Sequence, residues 1–151
     1  MHFVVQDLPA VVAKGVAELE VEYRDRITFQ THDFFDENPI DQPDIFFLRQ
    51  ILHDWPDDKA IEILQRLAAN MGPKSRLLIN DAVMPDPGTI DPLLEKQLRN
   101  VDMMMLAMFN ALERTAEDWS ELVRKADVGL KIVAIKQPEG SALSLLEVVK
   151  T

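Results

Sequence analysis

Cysteine is absent from the 151 residues, so disulfides and thiolate metal sites are impossible, and an intracellular, cytoplasmic setting is the default expectation. Glycine is scarce. The five glycines stand at Gly15, Gly72, Gly88, Gly129 and Gly140, a spacing that contains neither GxGxxG nor a phosphate-binding P-loop and so disfavours a dinucleotide dehydrogenase or an NTPase. Basic residues are also few, with 16 Lys and Arg against 26 Asp and Glu for a net charge of −10, and no basic cluster makes a track for phosphates. No nucleic-acid partner is expected. The longest apolar run, Met103 to Phe109, falls far short of the roughly 20 residues that cross a bilayer, so no membrane span is expected. The N-terminal MHFVVQDLPAVV lacks a cationic leader and carries Asp7 within its apolar stretch, which does not fit a signal peptide. Three scattered histidines show no paired ligand spacing, and no metal is expected.

What is present is the composition of one globular domain, 47% apolar and 28% charged. Short β-rich runs alternate with helical patterns. His2 to Val5, Ile27 to Thr31, Asp44 to Leu48, Arg76 to Ile79, Leu130 to Ile135 and Ala142 to Val149 read as strands. Asp44 to Leu48 is apolar enough to be covered on both faces, as in a parallel sheet. The last two strands are joined by PEGS and should form an antiparallel hairpin. Between them the spacing predicts helices from Leu8 to about Glu20, with Val11, Val12, Val16 and Leu19 on one face, and from Asp57 to Met71. The second buries Ala60, Ile61, Leu64, Leu67, Ala68 and Met71 and stops at Gly72 and Pro73. A methionine-rich helix from Pro92 to Phe109 and another announced by Thr115 with Asp118, a capping-box spacing, complete the set. The pattern is an open α/β sheet of six strands with one antiparallel edge, in a single domain.

In such sheets a ligand lies beyond the carboxyl ends of the parallel strands. Asp7 follows the first strand, His32 and Asp33 the second, Arg49 with His53, Asp54 and Trp55 the third, and Asn80 with Asp81 the fourth. Carboxylates in these places can accept ribose hydroxyls or an adenine amine, so a nucleotide-like ligand fits. Each residue has an ordinary role as well: Asp7 and Asp33 as caps of the following turn, Trp55 as a core residue before Pro56, Arg49 as a surface cation, His53 as a histidine near a helix start. Their convergence on one sheet edge is what favours a site.

The stretch ILHDWPDDKAIEIL resembles the plant and fungal small-molecule O-methyltransferases that use S-adenosylmethionine. The similarity continues through VVQDLPAVV, HDFFDENP, LLINDAVMPD and NALERTAEDWSELV, in the family's order, and covers nearly all of His2 to Val149. The resemblance implies a Rossmann-like class I methyltransferase sheet with an antiparallel C-terminal hairpin. It implies Asp7 and Leu8 at the cofactor ribose, Asp33 and Phe34 at the adenine, Arg49 where the family has a lysine near the cofactor carboxylate, and Trp55 beside the adenine. His53 matches the general base for the acceptor hydroxyl, Asp81 and Glu113 the two acids that orient it, and Met104 to Asn110 the segment that shapes the acceptor pocket. Asp81 is one methylene shorter than the usual Glu, which implies a longer orienting contact, and His32 replaces the usual Gly, which implies a differently shaped adenine loop.

The family's first strand and glycine-rich loop precede the segment matching HFVVQDLP, and an N-terminal dimerisation domain precedes those. The 151 residues therefore correspond to a partial catalytic domain, with a homodimer expected only in the full-length context. A missing central strand would leave unpaired backbone groups, at about 1–3 kcal/mol for each that is buried. The function implied is methyl transfer to a hydroxyl of a small aromatic secondary metabolite. A non-catalytic remnant that serves as a binding or interaction module, and a methyltransferase-like fold performing another reaction with bound cofactor, stay open beside it.

Overall fold

The computed structural model describes residues 1–151, which divide into two compact units, Met1–Pro39 and Ile40–Thr151. In the first, strand β1 (Phe3–Asp7) runs parallel to β2 (Ile27–Thr31), with Phe3 opposite Ile27 and Asp7 opposite Thr31. Helix α1 (Pro9–Glu18) connects them, its Pro9 occupying a first-turn position where a missing N–H costs nothing. Gly15 lets α1 lie close on β2, because a Cβ there would collide with the ring of Phe29. The apolar face expected on this helix is present but is not a buried one: Val11 and Val16 are exposed. A two-stranded sheet is too narrow to cover it.

The second unit is a four-stranded sheet in the order β3 (Ile45–Arg49), β4 (Arg76–Asp81), β6 (Ser144–Lys150), β5 (Leu130–Lys136). β3 and β4 are parallel; β6 is antiparallel to both β4 and β5, the latter through the expected hairpin. The six strands thus form two sheets rather than one, since β1 pairs only with β2 and β3 only with β4. β3 is correspondingly an edge strand. Phe46 is buried, whereas Ile45 and Phe47 are 47% and 56% exposed, so this strand is covered on one face and not on two.

Alternation along β4 buries Leu77, Ile79 and Asp81 on one face. Opposite them on β6 stand Val148, Leu146 and Ser144, also buried. Helix α2 (Asp57–Ala69) buries Ala60, Ile63, Leu64, Leu67 and Ala68, so Ile63 and not Ile61 completes the stripe. α2 packs against α4 (Ala116–Ala126), which contributes Trp119, Leu122, Val123 and Ala126. The capping box at Thr115 forms, with the hydroxyl accepting from Asp118 N and the Asp118 carboxylate accepting from Thr115 N. Helix α3 (Pro92–Phe109) is started by Asp91, whose carboxylate accepts from Leu93 N and Leu94 N, and ends on Asn110 in the left-handed region. It buries Met105 and exposes most of its other apolar residues. No helix is long and apolar enough to cross a membrane.

Leu64 is fully buried between α2 and its neighbours. Leu64→Ala should lower unfolding free energy by about 2–5 kcal/mol, from lost transfer energy plus the cavity, as read by urea denaturation. A change under about 1 kcal/mol would show that this face is not packed as described.

Candidate active site

Three elements bring ionisable side chains together in the second unit. β3 ends at Arg49, Gln50 turns the chain in a left-handed conformation (φ 51°), and a 3₁₀ turn, Leu52–Asp54, carries His53. Because β4 is parallel to β3, its carboxyl end reaches the same sheet edge, and Asp81 is its last residue. Glu113 lies between α3 and α4, where the parallel bridge from Met84 to Thr115 draws its segment alongside the chain leaving β4. Its N–H donates to Asp102 on α3 at 2.8 Å.

His53 Nδ1 lies 2.9 Å from Glu113 Oε1 and 4.0 Å from Asp81 Oδ1. The orienting contact to the shorter acid is the longer one. With Nδ1–H donating to Glu113, the lone pair belongs to Nε2, which lies 3.5 Å from Asp54 Oδ1. The imidazole is 12% exposed and both acids are buried. Its pKa is raised from 6.5, first by the Glu113 hydrogen bond and further by the charges of Asp81, Glu113 and Asp54, against an opposing effect of burial. Asp81 is pushed up to about 7, chiefly by burial, with Glu113 adding repulsion while His53 and Arg114 pull the other way. Neither Asp81 oxygen has a hydrogen-bond partner within the chain, and Glu113 Oε2 also has none. Buried acids without donors favour the protonated form. The cluster is a histidine with one close carboxylate partner and a second carboxyl whose pKa is pushed up to about 7.

The other residues expected from the sequence fall into two groups. In the first unit, Asp7 is the last residue of β1 and Asp33 lies two residues beyond the end of its parallel neighbour β2, so both stand at the carboxyl end of this pair. Asp7 Oδ1 accepts from Leu8 N at 2.7 Å and Asp33 Oδ1 from Phe35 N at 3.0 Å, the local capping roles, which leave one oxygen of each carboxylate outside these turns. Leu8 is exposed, and Phe34 packs edge-on against Phe35. His32 keeps Nε2 buried without a partner. In the second unit, Arg49 is exposed at the end of β3, and Trp55 ends the turn that carries His53. Met104 is exposed on α3.

Sequence reading missed Arg114 and Asp102, which hold the Glu113 segment. Asp102 sits inside a helical apolar run and Arg114 between Glu113 and a helix cap. The one available sign was a cation beside an acid already singled out.

A histidine whose Nδ1 is tied to a buried carboxylate, at the carboxyl edge of parallel strands, is an arrangement chemically able to accept a proton at Nε2. A sequence profile described as an O-methyltransferase domain matches residues 1–128. The chain is 45% identical over 150 residues to the O-methyltransferase fsr2 of Gibberella fujikuroi, covering 97% of this chain and 39% of that one. It is 46% identical over 152 residues to the dual O-methyltransferase/FAD-dependent monooxygenase elcB of Phaeosphaeria nodorum, covering 97% of this chain and 16% of that one. The solved structure of LepI in complex with SAM superposes with a TM-score of 0.85 at 31% identity, over 99% of this chain and 36% of that one. The chain belongs to the S-adenosylmethionine-dependent O-methyltransferase family. It spans well under half the length of these relatives.

The two raised pKa values have one consequence for stability. Asp81 binds its proton more tightly folded (about 7) than unfolded (3.8), so the folded state holds more protons across that interval and loses stability as pH rises through it. His53 acts in the same sense above 6.5. The urea midpoint of the protein should fall as pH rises through this range, and Asp81→Asn should flatten the fall. An Asp81→Asn variant with the slope unchanged would mean that Asp81 is ionised at no cost.

Proposed function

We propose that the protein takes part in methyl transfer from S-adenosylmethionine to a hydroxyl of a small aromatic metabolite, with His53 as general base. The observation that carries this reading is the 2.9 Å contact of His53 Nδ1 with buried Glu113, which leaves Nε2 as the proton acceptor. An aromatic hydroxyl attacks a methyl carbon far better as phenolate, and an imidazole titrating near neutrality takes the proton at an accessible pH. Glu113 keeps the ring oriented and stabilises the imidazolium that results. Asp81, when it keeps its own proton, leaves Glu113 as the charged partner; when ionised, it adds a second negative charge beside Nδ1.

For the cofactor, the oxygens of Asp7 and Asp33 that lie outside the local turns are acceptors suited to ribose hydroxyls and an adenine amine, and Leu8 and Phe34 supply apolar surface next to them. In the second unit, Arg49 is an exposed cation suited to a carboxylate and Trp55 an aromatic suited to a base. Bound S-adenosylmethionine supplies an electrophilic methyl group on a sulfonium. The relatives named as O-methyltransferases support this class of reaction.

Incubation with methyl-labelled S-adenosylmethionine and a panel of phenols should give labelled methyl ethers. His53→Ala should lower the rate by roughly 10²–10⁴ while calorimetry finds cofactor affinity nearly unchanged, because a base acts in the transition state. The wild-type rate should rise with pH to a plateau whose midpoint lies above 6.5, and Glu113→Gln should move that midpoint down, since the Glu113 hydrogen bond is the largest cause of the raised pKa. Near-normal turnover in His53→Ala, or loss of cofactor affinity in step with rate, would remove His53 from this role.

A further inference from the structure

Arg114 is the most deeply buried cation in the second unit, 1% exposed, and its guanidinium answers four acceptor contacts. Nη1 donates to Leu52 O at 2.8 Å and Nη2 to Trp55 O at 2.9 Å. Nε and Nη2 both donate to Asp57 Oδ1, at 3.1 and 2.8 Å. Its Cζ lies over the Trp119 ring, 5.3 Å from the centroid. The pattern of acceptors is informative. Leu52 and Trp55 are the residues that bracket the His53–Asp54 pair, so the two carbonyls clamp the ends of the turn that carries His53. The same arginine follows Glu113 directly, and its own carbonyl accepts from Met84 N at 2.8 Å, fastening the segment to the chain that leaves β4 after Asp81.

We infer that Arg114 is a positioning residue for the base: by gripping both ends of the His53 turn from the residue next to Glu113, it sets the His53–Glu113 contact. The inference rests on His53 being the base of the reading above, and it adds how the distance between base and acid is fixed. A lysine at this position would keep the charge but cannot reach two carbonyls and a carboxylate together, because a single ammonium lacks the planar fork. The contact between His53 and Glu113 should then lengthen.

Charge and placement predict opposite signs, which makes the idea testable. The ionisable groups facing His53 are Glu113, Asp81 and Asp54, and Arg114 is the nearby cation. Removing a positive charge alone raises the proton affinity of the imidazole; loosening the Glu113 hydrogen bond lowers it. Proton NMR titration of the His53 ring in the full chain reads this directly. Arg114→Lys, with the charge kept, should lower the His53 pKa by about half a unit or more, roughly a threefold loss of proton affinity, and Arg114→Met should also lower it. A folded Arg114→Lys with His53 titrating as in the native chain, or a raised value in Arg114→Met, would overturn the inference and leave Arg114 a purely structural cation.

Should both variants fail to fold, Asp57→Glu decides. Asp57 is half-exposed and the substitution conserves charge while displacing the guanidinium's carboxylate partner, so a smaller fall of the same sign is expected and an unmoved titration counts against the proposal. The imidazole titration needs no methyl transfer. Failure of the methyl-transfer reading therefore leaves this result in place, and failure of this inference leaves labelled methyl transfer in place.

Discussion

Burying ionisable groups without compensation is the constraint that shapes the second unit. Asp81, Glu113 and Arg114 lie within the protein at the carboxyl edge of β3 and β4, where an unpaired charge costs several kcal/mol even after relaxation. Three different solutions are used. Arg114 is answered by two carbonyls, a carboxylate and an aromatic face. Glu113 is answered by His53 on one oxygen, and its segment is held by Asp102. Asp81 is answered by no donor at all and keeps its proton to a higher pH. The turn after β3, the start of α2 and the approach to α4 are tied together by these solutions, so the local fold and the candidate chemistry share the same bonds.

The alternation in β4 explains why an acid stands at such a place. A strand whose residues face the core at every second position must put Leu77, Ile79 and Asp81 on one side. The first two pair with Val148 and Leu146 in the apolar interior, and the third reaches the strand end, opposite Ser144. Two residues earlier the same acid would sit opposite Leu146; at the strand end it lies within range of His53. Position along the strand decides whether a buried carboxyl faces only apolar side chains or lies near a histidine.

Much of this was legible in the sequence because it depends on local patterns. The bounds of α3, the capping box at Thr115, the stop of α2 near Gly72 and the hairpin after β5 all follow from neighbours in the chain, and all are present. The strand-end positions of Asp7, Arg49 and Asp81 were also legible, since a polar residue after an apolar run marks a strand end, whereas the expected single sheet edge was not, because β1–β2 and β3–β4 belong to separate sheets. What was not legible depends on partners distant in sequence. The apolar run Asp44 to Leu48 reads as doubly covered, yet coverage is a property of what packs on a strand, and β3 has a neighbour on one edge only. The valines of α1 show the same limit, as periodicity identifies a face but not the surface that meets it. Arg114 shows it most sharply: its partners, Leu52, Trp55 and Asp57, are more than fifty positions away.

The raised pKa of His53 carries a tension that the arrangement of acids partly resolves. A base that binds protons more firmly takes one from a hydroxyl more readily, but it also begins protonated in a larger fraction of molecules at neutral pH. Two ionised acids at Nδ1 would push the imidazole further toward the cation and leave less of it able to act. Asp81, its pKa pushed up to about 7 chiefly by burial, limits that effect wherever it holds its proton. His53 and Asp81 each alter the other's proton affinity, so their protonation is coupled. Shortening the second acid by a methylene acts in the same direction. At 4.0 Å from Nδ1, Asp81 is near enough to couple to the histidine and too far for a hydrogen bond, so Glu113 is the one carboxylate hydrogen-bonded to Nδ1.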